Sequence, residues 1–138
     1  MQKSIIEYIV TNEKELDDIV FDLTPGDRIC FSGDLGAGKS TYIRYILRKY
    51  LDDPTLIVRS PTYTYYQQYG ANIYHMDLYR LEDYDTFVSI GGTEILEDNN
   101  TISLIEWPEI LGESIKPTKK ISIELMEDGK RKIIITKL

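Results

Sequence analysis

The 138-residue sequence has very little cysteine and histidine, with one residue of each. A single cysteine, Cys30, cannot form an internal disulfide, so a reducing cytoplasm is the simplest setting for the chain. Cys30 lies in an apolar run, where we interpret it as a packing residue rather than a reactive thiol. A single histidine, His75, excludes a histidine-based metal site, and we interpret it as a hydrogen-bonded sheet residue rather than a catalytic base.

Long hydrophobic runs and clusters of basic residues are missing as well. No run is long enough to span a membrane, so we expect no membrane partner. The first residues lead into a strand-like segment that contains Glu7, which is not the pattern of a signal peptide. The chain has 16 Lys and Arg against 23 Asp and Glu, for a net charge of −7. This balance argues against a protein that grips a nucleic-acid backbone by itself, although an acidic protein can serve nucleic acid through a basic partner.

The most informative stretch is a glycine-rich loop followed by a lysine and a serine. It reads Gly33-Asp34-Leu35-Gly36-Ala37-Gly38-Lys39-Ser40. The spacing G-x-x-x-x-G-K-[ST] is typical of a phosphate-binding loop between a strand and a helix. A strand-like run precedes it at residues 28–31, and a helical pattern follows at 41–51. The apolar face of that helix is predicted to consist of Ile43, Ile46, Leu47 and Tyr50.

Each part of this loop has a physical role in binding a phosphate. Glycines let backbone N–H groups turn inward around the anion, and the positive end of the helix dipole adds to the attraction. Lys39 would reach the β- and γ-phosphates of a nucleotide, and the Ser40 hydroxyl would ligate Mg²⁺. The alternative is an ordinary glycine-rich turn, but the strand before it and the helix after it favour the nucleotide site.

The remaining patterns predict one α/β domain over residues 1–138, a single P-loop NTPase-type domain with a mixed β-sheet flanked by helices. Strands are predicted at 5–10, 28–31, 63–69, 72–79, 101–106, 120–126 and 130–137. A short acidic helix is predicted at 81–87. Asn12 and Glu15 predict a capping box at the start of another helix, whose buried stripe is Leu16, Ile19, Val20 and Leu23. Gly91-Gly92 predicts a loop, and Asp128-Gly129 predicts a hairpin turn.

Two carboxylates end apolar runs, where a loop that binds MgATP needs acidic groups near the metal. Glu106 ends the run 102–106, and Asp77 ends the weaker run 73–77. The alternatives are a solvated strand end for Glu106 and a structural ion pair with Arg80 for Asp77.

Three other classes of protein can be weighed against an ATPase. A regulatory GTPase would need the patterns N-K-x-D and D-x-x-G, and neither occurs in the sequence. A small-molecule kinase would need an acceptor pocket and a lid with basic residues, for which little chain remains. A nucleotide-dependent interaction module with incidental hydrolysis stays open. Many of the 11 tyrosines lie between residues 63 and 84, which suits a half-buried sheet or a protein-binding face.

Four ordered motifs together make the chain resemble the TsaE family, also called YjeE, the small ATPase of bacterial tRNA threonylcarbamoyladenosine biosynthesis. The first is the loop extended to Ser32 and Thr41. The other three are Ser60-Pro61-Thr62-Tyr63-Thr64, His75-Met76-Asp77-Leu78-Tyr79-Arg80-Leu81 and Glu106-Trp107-Pro108-Glu109. Departures are small: Ser40 often stands as Thr in the family, Tyr63 replaces Phe, and residues 91–94 are atypical enough that no role is carried onto them.

The resemblance implies a role for each matched position. Ser40 and Glu106 would hold Mg²⁺, and Asp77 would act in hydrolysis through the metal or the attacking water. The segment Ser60, Pro61 and Thr62 would be switch-like, near the γ-phosphate. Lys39 would serve catalysis, and further ATP contacts are implied for Thr11, Gly33, Asp34, Leu35, Gly36, Ala37, Gly38, Thr41, Trp107 and Arg131.

The resemblance also implies partners. The protein would bind TsaB and TsaD, of which TsaD transfers threonylcarbamoyl to adenosine 37 of tRNAs that read codons beginning with A. ATP binding and hydrolysis would control assembly or reset of that complex. The acidic charge fits this division of labour, in which tRNA is held mainly by the partners.

Overall fold

The computed structural model describes residues 3–19 and 21–138, and within these ranges seven strands form one mixed sheet. The strands are β1 (Ser4–Val10), β2 (Arg28–Ser32), β3 (Tyr66–Tyr69), β4 (Ile73–Asp77), β5 (Ile102–Glu106), β6 (Lys119–Leu125) and β7 (Arg131–Lys137). Their order across the sheet is β1-β7-β6-β2-β5-β4-β3. The four central strands β6, β2, β5 and β4 run parallel to one another, whereas β7 pairs antiparallel with β6 and with β1, and β3 pairs antiparallel with β4. The predicted α/β class with a mixed sheet is confirmed.

Three α-helices and two 3₁₀ helices flank this sheet in the described part of the chain. They are α1 (Lys39–Tyr50), α2 (Tyr84–Ser89) and α3 (Gly92–Glu97), with 3₁₀ helices at Glu13–Asp18 and Pro108–Ser114. One apolar cluster joins α1 to β2 and β5. A second cluster, which shares no residue with the first, joins α2 to β4. No helix among the described residues is long and apolar enough to cross a membrane.

The central strand β2 is apolar on both faces because both faces are covered. Ile29 and Phe31 belong to the cluster around α1, and Cys30 belongs to the cluster around α2. Burial is the main reason that the pKa of the Cys30 thiol is raised to about 11. A protonated, buried thiol is unreactive, which agrees with the packing role predicted for Cys30.

The helix predicted after Asn12 is a single 3₁₀ helix that ends at Asp18, so the prediction of a longer helix is wrong. Its last residues are acidic and no basic residue lies in its last turn, where the helix dipole disfavours negative charge. The Asn12 side chain makes no capping hydrogen bond; the Glu15 carboxylate instead accepts from the Thr11 amide at 2.7 Å. Leu16 and Ile19 are buried as predicted, Leu23 is half-buried, and Val20 lies outside the described residues.

The apolar face of α1 contains a different tyrosine from the one predicted. Ile43, Ile46 and Leu47 are buried, but Tyr50 is 43% exposed because it is the last residue of the helix. Tyr42 is 1% exposed, and its ring packs edge-on against Phe21 and Phe31 with centroid distances of 6.4 and 6.5 Å. Such edge-to-face pairs anchor the start of α1 to the sheet.

The predicted loop at Gly91-Gly92 is the junction between two short helices. Asp83 caps α2 by accepting from the Thr86 amide, so this helix begins later than predicted. Gly91 has φ +87°, which reverses the chain, and α3 follows directly. A Cβ on Gly92 would lie 2.4 Å from the Phe87 ring, so only glycine allows the two helices to approach this closely.

Because β2, β4 and β5 run parallel, their C-terminal ends lie side by side at one end of the sheet. In the register of β4 and β5, Asp77 stands beside Glu106, and Phe31 of β2 stands beside Glu106 on the other side. The glycine-rich loop follows β2 at this same end, which is where ligands bind in open α/β sheets.

A buried polar network lies at the opposite end of the sheet, where β2 and β6 begin. The Asp27 carboxylate accepts from Lys119 Nζ at 2.7 Å, from Thr118 Oγ1 at 2.7 Å and from the Thr24 amide at 2.9 Å. Burial acts to raise the pKa of Asp27, but these hydrogen bonds outweigh it and hold the pKa below its ordinary value of 3.8. The neighbouring Arg28 guanidinium donates to backbone carbonyls that include those of Leu96, Asp98 and Thr101. Together these contacts connect β2 to β6 and to the end of α3.

We predict that Asp27→Ala lowers the free energy of unfolding by about 3 kcal/mol, because it leaves the Lys119 ammonium buried without its partner. Chemical denaturation at pH 7 measures the change. The matched control is Lys130→Ala, which removes one member of an exposed ion pair with a 3.9 Å separation and should cost less than about 0.5 kcal/mol.

The same network predicts the direction of the pH dependence. The folded state holds the pKa of Asp27 below 3.8, so its contribution is complete above about pH 4 and is lost as the pH falls below that value. Asp27→Ala should therefore lose less stability than the wild type between pH 4 and pH 2. Equal losses in the two proteins would contradict this assignment.

Candidate active site

The glycine-rich loop turns sharply between β2 and α1. Gly33 has φ +150°, and a Cβ there would lie 2.5 Å from the carbonyl oxygen of Ile123. Gly38 precedes α1 with φ +107°, in the left-handed region. The loop therefore needs glycine at both ends, and it delivers the N-terminus of a 12-residue helix to the site. The first amides of a helix lack intrahelical partners and are available to an anion.

Lys39 is folded back across this loop. Its Nζ donates to the carbonyl oxygen of Gly33 at 2.6 Å and lies 3.6 Å from the centre of the Trp107 ring. The side chain is buried, and burial lowers the pKa of Lys39, an effect that Glu106 and Asp77 partly oppose. Phosphate oxygens would offer this ammonium stronger, charge-assisted partners than one carbonyl and one ring.

Ser40 and Glu106 meet at the centre of the site. The Ser40 hydroxyl donates to the Glu106 carboxylate, at 2.9 Å from Oε2 and 3.1 Å from Oε1. Adjacent oxygen ligands of an octahedral Mg²⁺ ion lie about 2.9 Å apart, given bonds of about 2.0–2.1 Å. Glu106 is 3% exposed, so its alternative interpretation as a solvated strand end is wrong.

The donor set fits a metal that is bound together with a nucleotide. Among the described residues, no group of three or more His, Cys, Asp or Glu side chains is arranged to hold a metal ion. Mg²⁺ is commonly held by one or two protein groups, with substrate phosphates and water completing its shell. The oxygens of Ser40 and Glu106 are hard ligands of the kind that this ion prefers.

Asp77 lies beside Glu106 but does not pair with Arg80, so that alternative is wrong. The Arg80 guanidinium lies 4.7 Å from the centre of the Tyr63 ring. The Asp77 carboxylate accepts from the Tyr79 amide at 3.1 Å and lies 3.5 and 3.4 Å from the hydroxyls of Ser60 and Thr62. Proximity in sequence favoured an ion pair of Asp77 with Arg80. Instead, Asp77 at the end of β4 faces the cavity beside the glycine-rich loop.

The segment predicted to be switch-like is thus in contact with the site. Its two hydroxyls bond to each other at 2.8 Å and both approach Asp77. Pro61 between them is buried, and its carbonyl accepts from the Tyr65 amide at 2.7 Å. The segment is therefore connected to a candidate catalytic carboxylate by weak, long hydrogen bonds that a ligand could exchange.

Most of the predicted residues line two adjoining cavities. The larger, of about 360 Å³, is lined by Leu35, Gly36, Gly38, Lys39, Ser40, Thr41, Ser60, Thr62, Asp77, Glu106, Trp107 and Arg131. The smaller, of about 100 Å³, is lined by Thr11 and by apolar side chains that include Val10, Leu16 and Ile133. Gly38, Thr41 and Arg131 line both. The structure places Gly33, Asp34 and Ala37 in the loop but outside these two cavities, and Arg131 Nε donates to the Ala37 carbonyl at 2.7 Å.

One contact at the site was not expected from the sequence. His75 is fully buried in β4, as a sheet histidine, and its Nε2 lies 2.6 Å from Oε2 of Glu106. Alternation along β4 places His75 on the same face as Asp77, and the register of β4 with β5 brings that face to Glu106. Only the pairing of the two strands, which no local pattern specifies, makes the contact visible.

This fold and site define a P-loop NTPase-like domain. A family model described as "Threonylcarbamoyl adenosine biosynthesis protein TsaE" matches residues 10–133. The chain is 34% identical over 131 residues to the tRNA threonylcarbamoyladenosine biosynthesis protein TsaE of Rickettsia felis, covering 89% of this chain and 75% of the relative. It is 31% identical over 139 residues to the TsaE protein of Aquifex aeolicus, covering 98% and 96%.

A solved structure agrees with these relatives. The crystal structure of YdiB from Bacillus subtilis superposes with a TM-score of 0.71 at 25% identity, covering 99% of this chain and 88% of that one. The chain belongs to the TsaE family, which is involved in tRNA threonylcarbamoyladenosine biosynthesis, and the resemblance seen in its motifs is confirmed.

We predict that Lys39→Ala lowers affinity for MgATP by about 10–100-fold, since it removes a charge-assisted hydrogen bond worth about 1.5–3 kcal/mol. Isothermal titration calorimetry measures the affinity, and circular dichroism checks that the fold survives. Lys49→Ala is the matched control, because Lys49 is exposed near the far end of the same helix. Unchanged affinity in a folded Lys39→Ala protein would overturn the assignment of the loop.

Proposed function

We propose that residues 1–138 act as one ATPase domain that binds ATP with Mg²⁺ and hydrolyses it in the service of tRNA threonylcarbamoyladenosine synthesis. The observation that carries this proposal is the contact of Ser40 with Glu106 at 2.9 Å, at the mouth of the glycine-rich loop. Asp77 lies beside this pair in the register of β4 and β5. A hydroxyl and two carboxylates beside a phosphate loop are the groups that metal-assisted phosphoryl transfer requires.

Binding would use the loop and Lys39. The backbone amides at the start of α1 would receive the phosphates, and Lys39 would leave the Gly33 carbonyl for the β- and γ-phosphate oxygens. Ser40 and Glu106 would hold Mg²⁺, which when bound neutralises phosphate charge during the reaction. The cavity that Thr11 lines is the proposed place of the adenine, since Val10, Leu16 and Ile133 offer a base apolar contacts there. Arg131 and Thr41 connect this cavity to the phosphate side.

Hydrolysis would depend on Asp77. Its carboxylate would orient the attacking water or a water of the metal shell, and it reaches Ser60 and Thr62 as well. This arrangement supports a segment that responds to the presence of the γ-phosphate, because loss of the phosphate would change the groups around Asp77.

Three arginines near the site have other partners in the described part of the chain. Arg44 is bonded to Glu13 at 3.0 Å, Arg80 covers Tyr63, and Arg131 donates to the Ala37 carbonyl. The isolated protein is therefore proposed to be a slow ATPase.

We propose TsaB and TsaD as the partners that complete it. Its ATP cycle would control the assembly or reset of their complex, which adds threonylcarbamoyl to adenosine 37 of tRNAs that read codons beginning with A. The net charge of −7 supports a tRNA that is bound through the partners rather than directly. Because these partners act on tRNA, we place the reaction in the cytoplasm.

We predict different defects for two charge-removing variants. Glu106→Gln should reduce both the Mg²⁺ dependence of ATP binding and the rate of hydrolysis, the latter by about 100-fold or more, because a carboxamide is a poor ligand for a hard cation. Asp77→Asn should keep ATP affinity within a few fold but hydrolyse ATP about 100-fold more slowly. Calorimetry with and without EDTA measures binding, and phosphate release in the presence of TsaB and TsaD measures turnover.

Glu97→Gln is the control for the change in charge, since Glu97 is exposed at the end of α3, beyond the opposite end of the sheet. It should behave as the wild type in both measurements. Normal hydrolysis by either Glu106→Gln or Asp77→Asn would show that the role assigned to that residue is wrong.

We predict that stoichiometric TsaB and TsaD raise the steady-state rate of ATP hydrolysis by at least about 10-fold. A cationic group supplied in trans is worth about 10³–10⁵ in related phosphoryl transfers, and ordering of residues 60–64 would add to it. Phosphate release is measured for the chain alone, with each partner and with both. Fast turnover by the chain alone that the partners do not change would contradict the proposal and indicate an independent enzyme.

A further inference from the structure

We propose that His75 is a positioning residue, whose Nε2–H holds the Glu106 carboxylate in the orientation that binds Mg²⁺. This inference rests on the proposed function, in which Glu106 is a metal ligand. The imidazole is completely buried, and its Nε2 lies 2.6 Å from Oε2 of Glu106. An ionised carboxylate only accepts hydrogen bonds, so we assign the ring proton to Nε2.

The hydrogen bonds at Glu106 are unequal. Oε2 receives both the imidazole of His75 and the hydroxyl of Ser40, at 2.6 and 2.9 Å, whereas Oε1 has Ser40 alone at 3.1 Å. A glutamate side chain has three rotatable bonds, and one fixed oxygen removes most of that freedom. His75 therefore fixes Oε2 close to Ser40 and leaves Oε1, which His75 does not contact, as the carboxylate oxygen with the weaker partner.

Among the described residues, the Glu106 carboxylate is the only hydrogen-bond partner of the His75 ring, whose Nδ1 is unpaired. Its neighbours Met76 on β4 and Leu104 on β5 are buried and apolar, and Gln67, which lies opposite it on β3, is exposed and makes no hydrogen bond to it. A buried polar group is costly unless it is bonded. Among the described residues, only the hydrogen bond to the Glu106 carboxylate offsets the cost of burying this imidazole.

The wild-type protein allows a first test without any substitution. His75 is the only histidine of the chain, so an untagged protein labelled with ¹⁵N-histidine gives one imidazole in a long-range ¹H–¹⁵N spectrum. We expect the Nε2–H tautomer, and signals that shift when ATP is added with Mg²⁺ but much less when ATP is added with EDTA. The Nδ1–H tautomer, or equal shifts with and without the metal, would overturn the proposal.

Substitutions supply the second test. His75→Leu removes the donor, and His75→Gln keeps an Nε2 donor of similar reach. Groups that orient a metal-binding side chain are worth about 10–100-fold in metal affinity, so His75→Leu should weaken the Mg²⁺-dependent part of ATP binding by about 10-fold or more. His75→Gln should recover most of it, while ATP binding in EDTA stays within twofold for both. Fluorescence of Trp107, the only tryptophan, reports binding because its ring lines the cavity.

Ile73→Val is the matched control, because Ile73 is a fully buried residue two positions earlier on the same strand. It should keep the wild-type Mg²⁺ dependence. Equal losses in Ile73→Val and His75→Leu, or in His75→Gln and His75→Leu, would show a packing effect and overturn the positioning role. A wild type whose ATP affinity ignores Mg²⁺ would instead refute the proposed function, so the two failures are distinguishable.

Discussion

The contact between the Ser40 hydroxyl and the Glu106 carboxylate is the interaction around which the site is arranged. It joins the first turn of α1 to the end of β5, across 66 residues of sequence. It exists because β2 and β5 pair in parallel, so that the loop after β2 and the last residue of β5 reach the same end of the sheet. The other groups of the site are placed relative to this contact, since Asp77 stands beside Glu106 and His75 holds one of its oxygens.

The polar groups at the two ends of the central strands have different roles. At one end the Asp27 carboxylate is satisfied by three donors and the Arg28 guanidinium by backbone carbonyls, which stabilises the fold. At the other end of the strands, Lys39 and Asp77 have partners that they could exchange. Lys39 bonds a carbonyl of its own loop, and Asp77 has hydroxyls at 3.4 and 3.5 Å. Such groups are able to exchange their partners for a phosphate or a metal at little cost.

The parts of the fold that follow local rules were predictable. The glycine spacing, the strand before it and the helix after it identified the loop, and the hairpin signal Asp128-Gly129 located β6 and β7. The identity of the buried tyrosine of α1 was not predictable, because it depends on where the helix passes the edge of the core. The helix after Asn12 was overestimated, since periodicity continued where acidic residues at its end disfavour a helix.

The sequence identified residues of the candidate site but not the contacts between them. Asp77 and Glu106 were recognisable as acids at the ends of apolar runs, but the pairing of their strands was not written in either run. Proximity in sequence suggested Arg80 for Asp77, whereas the structure directs Arg80 to Tyr63. Strand order is a long-range property, and it also explains why the approach of His75 to Glu106 had no signal in the local pattern.

A crystal structure of the protein with Mg²⁺ and a non-hydrolysable ATP analogue tests the central claim most directly. We expect one metal ion bonded to Oγ of Ser40 and to a carboxylate oxygen of Glu106 at about 2.0–2.2 Å, with Lys39 moved from the Gly33 carbonyl to the phosphates. A metal bound without Ser40 and Glu106, or phosphates bound away from the loop, would contradict it.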